Sequence, residues 1–173
     1  MLWFISLLIA GGLGAAYSDY DAAKRKLDSI EADQLRAGSR VELSPRELNA
    51  YAEHEAPAGV RNPRIQLLPG GVASGTALVD FGKLERSQGR QPGWLMAQLL
   101  AGEHPVAVTV RVRSSGGKAT VDVQRVQVSG LTLDGGTLDF VIQNFLLAMY
   151  PEAVVGRPFE LGHRIERLDV TPG

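Results

Sequence analysis

Apolar and polar positions along the chain fall into blocks of different period. No side chain from Met1 to Ser18 is charged: residues 2–10 are strongly apolar and residues 11–16 turn small. As a helix this block rises about 27 Å, slightly under the ~30 Å hydrocarbon core of a bilayer. Residues 19–37 then read as a polar, charged helix, with Tyr20, Ala23, Leu27 and Ile30 as a narrow apolar stripe at 3-4-3 spacing. A short stalk, or a helix lying on the domain, fits this pattern, with Gly38-Ser39 as its end. The next block opens on a capping signature. Ser44 is the N-cap, Pro45 takes the first helical position and Glu47 completes a capping box three residues on. Leu43 and Leu48 are placed for a hydrophobic staple. The helix is expected to run to about Glu55 and to stop before Pro57.

From Val60 the period changes to that of strands. Residues 61–68 are extended, Pro69-Gly70-Gly71 turns, and residues 72–81 return with Ala73, Ala77, Val79 and Phe81 on one face. Residues 89–93 read as a loop and residues 94–100 as a short greasy helix. Val106, Val108, Val110 and Val112 alternate strictly with Ala107, Thr109, Arg111 and Arg113, which predicts a half-buried strand. Ser114-Ser115-Gly116-Gly117 makes a hairpin turn into a return strand over residues 119–128. There the apolar phase shifts from odd (Val121, Val123) to even (Val126, Val128), which places a β-bulge near Gln124-Arg125.

A second amphipathic helix follows Asp134-Gly135-Gly136, with Thr137 as its cap and Pro151 closing it. Leu138, Val141, Ile142, Phe145, Leu146 and Met149 keep one stripe, and Phe140 and Leu147 add apolar surface outside it. Residues 159–171 read as a last strand with Ile165, Leu168 and Val170 inward. The order of elements predicts an α+β domain with an antiparallel sheet over residues 39–173. Ahead of it lie a polar helical stalk, 19–38, and a hydrophobic helix, 1–18, that is a signal peptide or a membrane anchor.

Composition narrows the partners. The net charge is −1, so no basic stripe recommends nucleic acid. The chain holds no cysteine, which removes disulfides, thiolate nucleophiles and Cys-ligated zinc. Gly14 and Ala16 fit a signal-peptidase site before Tyr17. No Lys or Arg precedes the apolar run, whereas Lys24-Arg25-Lys26 follows it, so cleavage and membrane orientation both stay open.

Catalytic patterns fail one by one. Gly70 and Gly75 stand at phosphate-loop spacing, but Thr76 occupies the position of the required lysine. Gly71-Val72-Ala73-Ser74-Gly75 is not a nucleophile elbow. His54, His104 and His163 lie in separate segments, and the neighbours in Glu53-His54-Glu55 point to different helix faces. No metal, cofactor or catalytic residue is nominated.

What remains is apolar surface. Trp94, Leu95 and Leu99, beside Leu138, Phe140, Val141, Ile142, Phe145, Leu146 and Met149, with Phe81 on its strand, are more lipophilic than a minimal sheet-covering pair of helices requires. Two readings stand: a plain core, or a groove between helices and sheet for acyl chains, which leaves no motif.

The segment Val41-Glu-Leu-Ser-Pro-Arg-Glu-Leu-Asn49 resembles the opening helix of the LmeA-like phospholipid-binding family. The run from Val126 through a helix ending at Pro151 to the final segment Phe159–Gly173 is similar to that family's close. The resemblance implies a half-TULIP-like fold, a strongly curved antiparallel sheet packed on one long amphipathic helix, binding phospholipid or another acyl lipid between them. It also implies an exported domain of the bacterial periplasm or envelope, membrane-associated and not an enzyme. The alternative is a membrane-anchored structural or assembly protein that docks an envelope partner through its apolar helix.

Overall fold

The computed structural model describes residues 6–87, 101–143 and 155–172. The first helix, α1 (Ser6–Glu31), runs unbroken from the apolar block into the charged one. It ends at Glu31, not at the expected Gly38. Asp33 takes a left-handed φ of 52°. Its N–H donates to Ile30 O at 3.0 Å, and the Gln34 N–H donates to Ser29 O at 3.1 Å. This is a Schellman closure with aspartate, which tolerates the left-handed region, where glycine is usual. Among the described residues no helix is long and apolar enough to cross a membrane.

Helix α2 (Pro45–His54) starts as its capping signature dictates. The Glu47 N–H donates to Ser44 Oγ at 3.2 Å, and the Ser44 N–H donates to Glu47 Oε2 at 2.7 Å. The fully buried Ala23 lies on the α1 stripe that faces α2. Lys26 reaches from α1 to Glu47 Oε1 at 2.6 Å and to the Glu42 carbonyl at 2.7 Å.

The strands are β1 (Val60–Leu68), β2 (Val72–Val79), β3 (His104–Ser115), β4 (Lys118–Val128), β5 (Leu131–Leu133) and β6 (Phe159–Glu160). They form one six-stranded antiparallel sheet in the order β1-β2-β3-β4-β5, with β6 beside the start of β4. The sheet packs against the two helices, α2 along β1 and α1 on α2. The expected bulge is present: Thr109 pairs with Arg125 and Val110 with Val123, leaving Gln124 as the extra residue. A second bulge sits in β1 between Arg61 and Arg64, where Asn62 has a φ of 49°.

The expected strong curvature is not observed; the sheet is not strongly curled. Both bulges bend their strands locally, but β2 and β3 pair without a register shift from Val72↔Arg111 to Val79↔His104. That regular centre does not roll up.

Three local expectations also change. Phe81 does not extend β2; it opens a short helix, α3 (Phe81–Ser87), capped by Asp80, whose Oδ1 accepts from the Lys83 N–H at 2.9 Å. Gly59 makes room for it, since a Cβ there would meet the Leu84 backbone nitrogen at 2.7 Å. Helix α4 (Gly135–Val141) starts after Asp134, upstream of Thr137. The last strand is only β6, because Gly162, His163 and Arg164 all take positive φ and turn the chain out of the ladder. Leu168, expected inward, is 48% exposed.

The described core is small: Val79, Phe81 and Leu84, with Val60, Ala77, Val106 and Val128 packed around them.

Candidate functional site

The β-ladder assigns every side chain to one of two faces, because directly paired residues share a face and neighbours in sequence alternate. On β3 one face carries Val106, Val108, Val110 and Val112, which pair with Val128, Val126, Val123 and Val121 of β4. The Gln124 bulge is what keeps all four β4 valines on that face despite their change of parity. Ala73, Ala77 and Val79 of β2 and Val60, Ile65 and Leu67 of β1 continue it. Val126 is buried, and the other β3 and β4 valines are half-buried. The opposite face mixes Gln66, Thr76, Thr109, Arg111, Arg125 and an Arg113–Asp122 ion pair with the apolar Leu68, Val72, Leu78, Pro105 and Ala107.

Only two polar side chains interrupt the apolar face of β3, one at each end. Ser114 is fully engaged: its hydroxyl donates to the Leu168 carbonyl and accepts from the Leu168 N–H, both at 2.7 Å. His104 is half engaged. Its Nδ1 lies 3.1 Å from Ser129 Oγ, its ring is tilted against Phe81 at 6.0 Å, and its buried Nε2 has no hydrogen-bond partner among the described residues.

The edge of β1 is managed differently. Asn49 of α2 donates to the Ile65 carbonyl at 2.8 Å and accepts from the Ile65 N–H at 2.7 Å, so its amide satisfies both edge groups of that residue. Beside it a groove of about 420 Å³ is lined by Pro45, Leu67, Leu68, Pro69 and Pro172. A second groove, of about 300 Å³, lies among Thr76, Leu78, Pro105, Ala107 and Gln127.

Titratable groups gather where α1 meets α2. The Tyr20 ring stacks on His54 at 3.8 Å, and its hydroxyl donates to Glu55 Oε1 at 2.7 Å. That bond raises the Tyr20 pKa and lowers that of Glu55. The Lys26 ammonium, helped by the Ser44 N–H, holds the Glu47 carboxyl below its usual value. Glu53 turns away to Arg64 at 2.8 Å, so the Glu53-His54-Glu55 run does not converge on one point. Among the described residues no group of three His, Asp or Glu is placed to hold a metal ion.

Of the residues nominated from sequence, Phe81 is buried in the core at the first turn of α3. Leu138 and Ile142 are half-buried, on and just after α4. The backbones of Phe140 and Val141 belong to α4, while their side chains lie outside the described residues, as do Trp94, Leu95, Leu99, Phe145, Leu146 and Met149. Neither groove is lined by Phe81, Leu138 or Ile142. His104 was not nominated, although it stands in phase with the alternating valines, which was the signal that would have found it. Set against protein-family models, curated proteins and solved structures, the chain matches none.

Proposed function

We propose that the domain is a lipid-binding or lipid-transfer module of the bacterial envelope, not an enzyme, that seats acyl chains of phospholipid or another lipid against the valine face of its sheet. The observation that carries this reading is that face itself: paired rows of valine on β3 and β4, most of them only half-buried, with arginine confined to the other side of these two strands. Each methylene removed from water there contributes about 0.8 kcal/mol, so a long acyl chain gains enough to offset the cost of ordering it. The resemblance to the LmeA-like family and the uncharged start of the chain, as signal peptide or anchor, support work at a membrane. The lipophilic character of residues 94–100 and 138–149 in the sequence supports the same reading.

The test is native mass spectrometry of protein purified from membranes, followed by lipid extraction. An acyl lipid retained by the folded domain is the expected result. Protein that neither carries lipid nor gains thermal stability when lipid is added removes the reading. A second reading, a membrane-anchored assembly protein, is favoured by Leu131, 72% exposed on β5 just ahead of α4. A retained partner polypeptide in place of lipid is its signature.

A further inference from the structure

We propose that His104 is the polar anchor of the acyl site, hydrogen-bonding an oxygen at the head of the ligand and so fixing which way the chain lies along β3. This rests on the lipid-binding reading above.

A buried donor or acceptor with no partner costs about 1–3 kcal/mol, and native structures rarely keep one without a use. Among the described residues His104 Nε2 is such an atom. Neither tautomer relieves it: Nε2 is either an N–H without an acceptor or a lone pair without a donor. The ring is not loosely held. Its other nitrogen is 3.1 Å from Ser129 Oγ, and Ser129 is fixed in turn by its N–H donating to the Pro105 carbonyl at 2.8 Å. A Ser129 hydroxyl donating to Nδ1 leaves the proton on Nε2, at the end of the ring remote from the backbone. That N–H is a donor suited to a carboxylate, ester or hydroxyl oxygen.

Its surroundings define the ligand class. Val79 pairs with His104 across the ladder, Phe81 packs beside the ring, and Val106, Val108, Val110 and Val112 follow on the same face. Because Nε2 is sealed from solvent, the group that satisfies it must arrive within the apolar layer, as the head of an acyl chain does. Ser114, at the far end of the row, has both its bonds taken by Leu168. From Val106 to Val112 the row measures about 20 Å at the rise of a strand, the length scale of a long acyl chain. The head therefore sits at the Ser129 end and the methyl end points toward the Gly116-Gly117 turn.

The test uses the full chain labelled with nitrogen-15 at histidine, with oleic acid as polar-headed ligand and N-phenyl-1-naphthylamine as an apolar probe without a carboxyl. Oleate is expected to shift the His104 Nε2 resonance, and the dye is not. His104→Leu is expected to weaken oleate binding about tenfold while dye binding is unchanged, and His104→Gln, which keeps a polar group near Nε2, to restore part of the loss. Stearic acid spin-labelled near its carboxyl should broaden His104 strongly, and the same acid labelled near its methyl end should broaden it far less. Oleate binding with an unmoved Nε2 resonance overturns the anchor and leaves the lipid reading standing. So does a His104→Leu protein that is merely more stable and binds oleate as before. Wild-type protein that binds neither probe takes down both.

Discussion

The corner where α1, α2 and β1 meet and the valine face of β3 and β4 are built on opposite plans. At the corner, named polar bonds hold each piece: Lys26 to Glu47, Glu47 to Ser44, Asn49 to Ile65, Tyr20 to Glu55. On the face, ladder register alone places the side chains, and nothing polar is used between His104 and Ser114. Polar bonds specify one geometry, because each unmade bond costs its desolvation. Apolar contact is non-directional and tolerates a range of partners. The corner is thus the part of the domain that sets its shape, and the face is the part that, on the proposed reading, takes a variable ligand.

Phe81 tests where the core ends and the face begins, and it carries the largest expected effect. Buried at the first turn of α3 with Val79 and Leu84, it is packing. Phe81→Ala should cost about 3–4 kcal/mol, read as a lower denaturant midpoint with or without lipid. A variant of unchanged stability that has lost acyl binding would move Phe81 from the core to the site and erase the boundary between them.

Glu47 tests the corner. Its folded-state pKa is lowered by Lys26 and the Ser44 N–H. A lowered carboxyl pKa contributes stability that is fully present above the unfolded-state value and is lost as pH falls through the folded-state value. Glu47→Gln should therefore cost about 2 kcal/mol at neutral pH, and the difference from wild type should shrink on acidification below the usual carboxylate range. Because the face is separate, acyl binding by the folded variant should not change. An equal loss at all pH values would show that the charge is idle and that only the cap counts.

Asn49 follows, at about 1.5 kcal/mol for Asn49→Ala, since its amide makes two bonds to Ile65 and one to the Pro45 carbonyl at 2.8 Å. Freed edge groups on β1 should also raise self-association, measurable by sedimentation. A variant as stable and as monomeric as wild type would reduce the corner to its ion pair.

The two plans also differ in how far they can be read from residues alone. The capping box of Ser44 and Glu47 is a local pattern with a local cause, and it is present as expected. The Gln124 bulge was legible because alternation changes parity around it. The Asp33 closure was not, because aspartate rarely takes the glycine position. Nor was α3, since Val79, Phe81 and Leu84 fit either period and only the Asp80 cap decides between them. The Asn49–Ile65 clamp and the Lys26–Glu47 pair join separate elements, and no spacing rule encodes them. For the site the reverse holds. Alternation announces the valine row, but its extent across β1 and β2, and His104 Nε2 at its end with no partner among the described residues, emerge only from register and burial.

The smallest effect separates the two faces of one strand. Val110 and Thr109 are adjacent on β3, and their partners Val123 and Arg125 flank the bulge. Exchanging a methyl for a hydroxyl at Val110 puts an unneeded polar group on the apolar face, and Val110→Thr should cost about 1 kcal/mol. Acyl binding should fall with it, because the hydroxyl must be desolvated again under the ligand. The reciprocal change, Thr109→Val, alters the opposite face and should stay within about 0.5 kcal/mol of wild type, with binding intact. Thermal melts with and without oleate measure both quantities on each variant. Loss of binding in Thr109→Val but not in Val110→Thr would place the ligand on the wrong side of the sheet, and with it the division between a corner that specifies and a face that receives.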